Sequence, residues 1–189
     1  MPDAKLNGLK VAILATNGFE ESELLKPKQA LEEAGAKISI ISPESGEIYG
    51  MKHHEKAGKV KVDLTLADAA PEDFDAVLLP GGGLNADALR INQEAQEFIQ
   101  EIDAAQKPIA VICHGPWLLV SAGLTKGRTL TSWPSIKDDI VNSGANWQDK
   151  EVLVDDNWVS SRKPDDIPAF NREMIALFAE RMPEKKKVA

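Results

Sequence analysis

The chain contains a single cysteine, Cys113, and one of its three histidines, His114, follows it directly. Both lie in PIAVICHGPWLL, where a mostly apolar run from Pro108 stops and a second starts beyond Pro116. A thiol beside an imidazole has the makings of a nucleophile. The thiolate attacks a carbonyl carbon, the ring accepts a proton, and a backbone N–H can hold the oxyanion. The plainer alternative is that a free cysteine is a small core hydrophobe. Its placement favours the reactive reading. A strand-to-helix turn sets the sulfur near a helix N-terminus, whose positive end favours the thiolate. Such a turn also projects the side chain into a cleft, as at the nucleophile elbow of hydrolases. Gly115 allows the sharp turn, and Pro116 suits a first helical position. The expectation is a thiol ionised near neutral pH, below the roughly 8.5 of a free cysteine.

Two other stretches could meet that sulfur. GFEESE (Gly18–Glu23) and Gly81-Gly82-Gly83 each follow an apolar run. Glu23 reads either as a solvated acid in the first turns of a helix or as a carboxyl buried against the thiol. In the second case burial raises its pKa and keeps it protonated as a hydrogen-bond donor. Glu20 and Glu21 read as surface or subunit-contact residues. The three glycines are followed by no GK[ST] or GxGxxG pattern, so an oxyanion role fits them better than a phosphate cradle. His53 and His54 are adjacent on a strand-like stretch and face opposite sides, which argues against a metal pair. No metal and no organic cofactor are expected.

The elements that must position these residues alternate between strand and helix. LKVAILAT (Leu9–Thr16), KISIIS (Lys37–Ser42), DAVLLP (Asp75–Pro80) and PIAVIC (Pro108–Cys113) read as buried strands. Helical spacing follows the first strand, with Leu24, Leu25, Ala30, Leu31 and Ala34 able to share a face. Pro27 should kink that helix or open a new one, and Gly35 should end it. HHEKAGKVKVDLTL (His53–Leu66) reads as a hairpin or edge excursion. Asn92–Lys107 is an amphipathic helix and Gly115–Gly123 a short apolar one. TLTSW is strand-like, and SIKDDIVNSG is a helix stopped at Gly144. EVLVDDNWVSS gives two short strands about Asp155-Asp156-Asn157, and DDIPAFNREMIALFAERM closes the chain as a helix. Alternation with short links predicts a mainly parallel sheet covered by helices on both faces. In such folds ligands bind at the carboxyl ends of the strands. Gly18–Glu23, Gly81–Gly83 and Cys113-His114 all fall there.

Composition narrows the classes. The chain has 189 residues, 43% of them hydrophobic and 28% charged, with a net charge of −8. That length suits one domain spanning residues 1–189, with frayed ends at 1–8 and 183–189. The acidic balance argues against nucleic acid and anionic membrane as partners. One cysteine leaves no internal disulfide, which points to a reducing, cytoplasmic compartment. The apolar runs fall short of the roughly 20 residues of a membrane span.

Taken together, AVICHGPWLLVSAG, LLPGGG, GFEESEL, TSWPSIKDDIVNSGA and VDDNWVSSRKPDD resemble the ThiJ/PfpI superfamily, within it the branch of PfpI-like intracellular proteases and general stress proteins. The resemblance covers nearly the whole chain. It implies a flavodoxin-like three-layer α/β/α sandwich related to class I glutamine amidotransferases. It also implies a nucleophile at Cys113, the adjacent histidine at His114 and a thiol-bonding acid at Glu23. The implied oxyanion pocket consists of Gly82 and the His114 amide. In the protease-like branch a carboxylate from a neighbouring subunit completes a Cys-His-acid triad, and Asp87 takes that place here. The loop before it is one residue longer than in the archaeal proteases, and the acid is Asp rather than Glu. Trp133 stands where the archaeal motif has Tyr, which removes a phenolic hydroxyl. A homodimer or hexamer is implied.

Three activities fit these residues. The first is glyoxalase or deglycase chemistry on small aldehydes or on glycated protein and nucleotide adducts, as part of a stress response. The second is peptide hydrolysis through an acyl-enzyme. It needs an imidazole aimed at the sulfur, and neighbouring residues on a tight turn are not expected to face each other. The third is a non-enzymatic redox sensor or chaperone, with Cys113 oxidised reversibly.

Overall fold

A computed structural model describes residues 5–184. The strands are β1 (Lys10–Leu14), β2 (Phe19–Glu20), β3 (Lys37–Ser42), β4 (Glu47–Lys52), β5 (Glu55–Lys61), β6 (Leu64–Thr65), β7 (Ala76–Leu79), β8 (Ile109–Ile112), β9 (Thr129–Leu130), β10 (Asn146–Trp147), β11 (Leu153–Asp155) and β12 (Trp158–Ser161). The helices are α1 (Glu21–Glu33), α2 (Gly83–Arg90), α3 (Gln93–Ala104), α4 (Pro116–Ser121), α5 (Lys137–Asn142) and α6 (Ile167–Glu180).

The main sheet has seven strands in the order β11-β12-β8-β7-β1-β3-β6. All its pairings are parallel except the edge pair β11–β12. Side chains on a strand alternate between faces, and the apolar runs use both. Val11, Ile13, Ala110 and Ile112 share a core with Leu24 and Leu31 of α1 and with Phe170, Met174 and Phe178 of α6. Their neighbours Ala12, Leu14, Ile109 and Val111 share the opposite core with Leu89 of α2, Phe98, Ile99 and Ile102 of α3, and Leu118 and Leu119 of α4. The result is the expected three-layer α/β/α sandwich. The central strands are continuous apolar runs because both their faces are covered.

Several local expectations change. The hairpin precedes its expected place: β4 and β5 pair antiparallel, and the turn between them holds His53 and His54. His53 takes a left-handed backbone at φ 58°. α1 runs unbroken through Pro27; the missing N–H costs one helical bond, the one the Glu23 carbonyl would accept. The residues after Gly82, to which the sequence assigned no element, form α2. Of the N-terminal segment expected to fray, the described part is tied down. Leu6 is buried, and its N–H donates to the Ala34 carbonyl at 2.9 Å. At the other end Met182, just before the segment expected to fray, is buried, Pro183 and Glu184 are exposed, and residues 1–4 and 185–189 lie outside the described residues. No helix among the described residues is long and apolar enough to cross a membrane.

Candidate active site

Cys113 follows the last residue of β8 and adopts φ 62°, a left-handed conformation that costs an ordinary side chain on the order of 1–2 kcal/mol. The surrounding backbone imposes it. The Cys113 N–H donates to the Ser161 carbonyl at 3.0 Å, and its carbonyl accepts from the Trp133 N–H at 2.9 Å. β12 on one side and the Trp133 segment on the other thus hold the turn. Gly115 is required here, because a Cβ would come within 2.8 Å of the Leu79 carbonyl oxygen.

Glu23 reaches the sulfur from α1 and is fully buried. Its Oε2 accepts from the Gly81 N–H at 2.9 Å, and its Oε1 has no hydrogen-bond partner among the described residues. Gly81 is the surface on which acid and thiol meet. A Cβ there would stand 2.5 Å from Cys113 Cβ and 3.0 Å from Sγ, and would strike Glu23 Oε2 as well. Burial pushes the Glu23 carboxyl up to about 8, and the neighbouring Glu20 carboxylate adds to the rise; the Cys113 thiol and the Gly81 amide oppose it. Glu23 therefore holds its proton at neutral pH, as the sequence reading anticipated for a buried acid.

The thiol departs from expectation. Burial, and next the charge of Glu23 when ionised, push Cys113 upward, while the Gly82 and His114 amides pull it down. A terminus of the six-residue α4 does not outweigh that desolvation. Thiol and carboxyl form a coupled pair whose protonation belongs to both groups. The two amides named from the resemblance for an oxyanion, Gly82 and His114, are the ones that pull the thiol down.

His114 and the thiol do face each other, against expectation: Sγ and Nδ1 are 3.2 Å apart. The imidazole lies between two indoles, stacked on Trp133 with 6.0 Å between centroids and edge-on to Trp117 at 5.4 Å. Burial holds its pKa below the ordinary value, so the ring is neutral at neutral pH. Trp117 is itself fixed, donating from Nε1 to Asp139 at 2.8 Å with the Arg90 guanidinium over its ring.

Asp87 does not join the cluster within one chain. It lies on α2, exposed, with no hydrogen bond or ion pair among the described residues. Glu20 and Glu21 are not simply surface acids. Glu20 is buried, and its Oε2 accepts from the His53 N–H at 3.1 Å, while Glu21 Oε2 accepts from the Gly58 N–H at 2.8 Å. Together they fasten the β4–β5 hairpin to the start of α1. No group of three or more potential metal ligands occurs among the described residues.

Sequence reasoning passed over Asn85. Its carboxamide is fully buried, accepts from the Thr16 N–H at 2.8 Å, and donates to the Pro80 and Gly81 carbonyls at 3.2 and 3.0 Å. The available signal was an asparagine in the first turn of a helix that follows a glycine-rich loop, a place where its side chain readily bonds backbone.

A thiol on a strained strand-to-helix turn, beside a buried acid and a glycine-rich loop, is found in a doubly wound parallel sheet. The DJ-1/PfpI family matches this chain over residues 9–177, and the chain belongs to that family. It is 47% identical over 169 residues to the deglycase PH1704 of Pyrococcus horikoshii, covering 89% of this chain and 99% of that protein. It is 44% identical over 168 residues to the putative cysteine protease YraA of Bacillus subtilis, covering 89% and 97% respectively. Among solved structures, DJ-1beta of Drosophila melanogaster superposes with a TM-score of 0.83 at 26% identity, covering 96% of this chain and 94% of that one.

Proposed function

We propose that the chain is a cofactor-independent cysteine enzyme of the deglycase or glyoxalase type, acting on methylglyoxal, glyoxal and their early adducts on proteins and nucleotides. The observation that carries this reading is the fully buried Glu23 carboxyl, protonated at neutral pH, packed with Cys113 against Gly81. A proton held beside a nucleophile is what carbonyl addition needs.

The chemistry runs as follows with methylglyoxal. Sulfur bonds to the aldehyde carbon as its proton passes to the neutral His114 ring, 3.2 Å from Sγ, the C=O π pair moves onto oxygen, and Glu23 supplies the proton that makes a hemithioacetal. The amides of Gly82 and His114 can hold the developing oxyanion once the sulfur's charge is spent in the new bond. Glu23, now a carboxylate, takes the proton from the former aldehyde carbon, the hydroxyl proton on that carbon passes to the neighbouring carbonyl oxygen, and Glu23 returns its proton to the adjacent carbon. That leaves a lactoyl thioester. Water attacks the thioester and gives a proton to Glu23, the C–S bond breaks, the His114 imidazolium returns its proton to sulfur, and lactic acid and the thiol are released. The sum is methylglyoxal plus water giving lactic acid, with no oxidant or reductant.

A second reading rests on its own observation. The 3.2 Å approach of Sγ to Nδ1 supplies the thiol–imidazole pair of a peptidase, and Asp87 of a neighbouring subunit in a homodimer or hexamer would complete it. A cytoplasmic location belongs to both readings. The test is turnover of methylglyoxal and cleavage of a fluorogenic peptide by purified protein, each repeated with Cys113→Ser. Methylglyoxal turnover that survives Cys113→Ser would overturn the thiol mechanism. Peptide cleavage without aldehyde turnover would replace the first reading with the second. Neither activity, together with aggregation suppression, would favour the non-enzymatic alternative.

A further inference from the structure

We infer that Asn85 is a positioning residue, a buried carboxamide strut that sets the two amides on which both Glu23 and the Cys113 sulfur depend. The inference rests on the reading of the site given under the proposed function.

Asn85 spends its acceptor and both donors on backbone. Oδ1 accepts from the Thr16 N–H at 2.8 Å, just past the end of β1. Nδ2 donates to the Pro80 carbonyl at 3.2 Å and the Gly81 carbonyl at 3.0 Å, just past the end of β7. One side chain thereby locks the two strand ends that flank the site. The peptides it grips are the ones that matter. The Pro80 carbonyl and the Gly81 N–H belong to one planar unit, and that N–H donates to Glu23 Oε2 at 2.9 Å. The Gly81 carbonyl and the Gly82 N–H belong to the next, and that amide pulls the pKa of the Cys113 thiol down. Fixing the two carbonyls fixes the aim of the two N–H groups. The Gly81 carbonyl also accepts from the Glu20 N–H at 3.2 Å, which ties α1 to the same peptide.

The loop needs such a strut because its own residues do not hold it. Gly81, Gly82 and Gly83 carry no side chains, and Gly82 sits at φ 93°, open to many alternatives in a free chain. Side chains are excluded at two of the three. A Cβ on Gly81 would strike Cys113, and one on Gly82 would stand 2.6 Å from the Glu20 nitrogen. The rigidity must come from a neighbour, and Asn85 is fully buried with every polar atom of its side chain used.

The test uses Asn85→Ala and the near-isosteric, uncharged Asn85→Leu, with folding checked by near-ultraviolet circular dichroism. The titratable groups at the sulfur are Glu23 on α1 and His114 on the turn, with Glu20 acting on Glu23. Asn85 bonds none of them, so the variants alter no nearby charge. Misaimed amides should lower kcat for methylglyoxal on the order of 10- to 100-fold while KM stays within about twofold. The pH midpoint of Cys113 alkylation by iodoacetamide should rise, by about one unit, as the Gly82 donor is lost. A fall in thermal stability with unchanged kcat and an unchanged midpoint would mean that Asn85 is only structural. The unmutated protein offers an independent check. The Gly81 and Gly82 amides should exchange with solvent far more slowly than the Leu84 amide, and rapid exchange at Gly82 would overturn the inference even where neither variant folds. If the native protein turns over no methylglyoxal, the proposed function fails alone; the alkylation midpoint and amide exchange still judge Asn85.

Discussion

The Cys113 sulfur and His114 Nδ1 face each other at 3.2 Å, although the two residues are consecutive. The left-handed turn at Cys113 and the stacking of His114 on Trp133 bring this about. Two of the three residues proposed for a peptidase triad are thus in contact within one chain. The third is not, because Asp87 is exposed and unpartnered among the described residues.

That arrangement separates two activities. Asp87→Asn should leave stability within about 0.5 kcal/mol, as for an exposed side chain without partners. It should lower methylglyoxal turnover less than about tenfold, since Asp87 lies outside the proton-transfer step. Peptide cleavage, if it uses a triad completed between subunits, should fall by up to about 10⁴-fold. Both activities are to be measured on the same preparation. Equal, large losses would mean that one triad serves both reactions and that Glu23 is not the working acid–base.

The coupled pair makes a prediction for reactivity. Glu23 is pushed up to about 8, while Cys113 is pushed above its ordinary 9. The first proton to leave the pair should therefore leave near pH 8, with the resulting charge shared between oxygen and sulfur. Iodoacetamide alkylation of Cys113 should show a midpoint near that pH. In Glu23→Gln only the buried thiol remains, and the midpoint should move above 9. An unchanged midpoint in the variant would show that Glu23 does not govern the sulfur.

Glu23 should also leave a signature in stability. Its folded pKa is about 8 against an ordinary 4.5, so between those values the folded protein binds a proton that the unfolded chain has released. Stability therefore falls as pH rises through this window, by up to roughly 5 kcal/mol over its full width. Below about pH 4.5 both states are protonated and the penalty vanishes. Glu23→Gln removes the titrating group, so its urea midpoint should change much less between pH 5 and 8 than that of the native protein. The same variant should lose on the order of 10²- to 10⁴-fold in aldehyde turnover. Parallel pH–stability curves for the two proteins would contradict the buried, protonated carboxyl.

Gly81→Ala probes packing rather than charge. The added methyl meets Glu23 Oε2 and stands 2.5 Å from Cys113 Cβ, so one or both must shift. Overpacking of this kind costs typically 1–3 kcal/mol, and displacement of either group should bring turnover to the level of Cys113→Ser. Calorimetry and a methylglyoxal assay read the two effects separately. A fully active Gly81→Ala would mean that the contact between acid, thiol and glycine is not needed for the chemistry.

Much of this architecture was legible in the chain. β1, β3, β7 and β8 are apolar runs buried on both faces, and α3 shows its stripe at Phe98, Ile99 and Ile102. The positions of Cys113, Gly82 and Glu23 follow from strands that end together at one edge of a parallel sheet. What escaped depends on contacts distant in sequence or on backbone dihedrals. α2 was hidden behind three glycines, and its start at φ 93° has no side-chain cap. The hairpin turn uses His53 in a left-handed conformation where a glycine or asparagine would have announced it. The direction of the thiol's pKa depends on how deeply the finished fold buries it, which outweighed the local effect of a helix end. Asn85 owes its meaning to Thr16, Pro80 and Gly81, which meet only after the sheet has formed.

The left-handed backbone at Cys113 bears on how such a chain can drift. A side-chain-bearing residue there is retained against a standing conformational penalty, while glycine would occupy the same dihedrals freely. A descendant that no longer needed the sulfur would gain stability by replacing it with glycine, more than with alanine or serine. The identity of this one residue therefore works as a tell-tale. If Cys113 carries the proposed chemistry, glycine at this place in a relative with the same turn would mark a lineage that has abandoned it, and a cysteine one still under pressure to perform it.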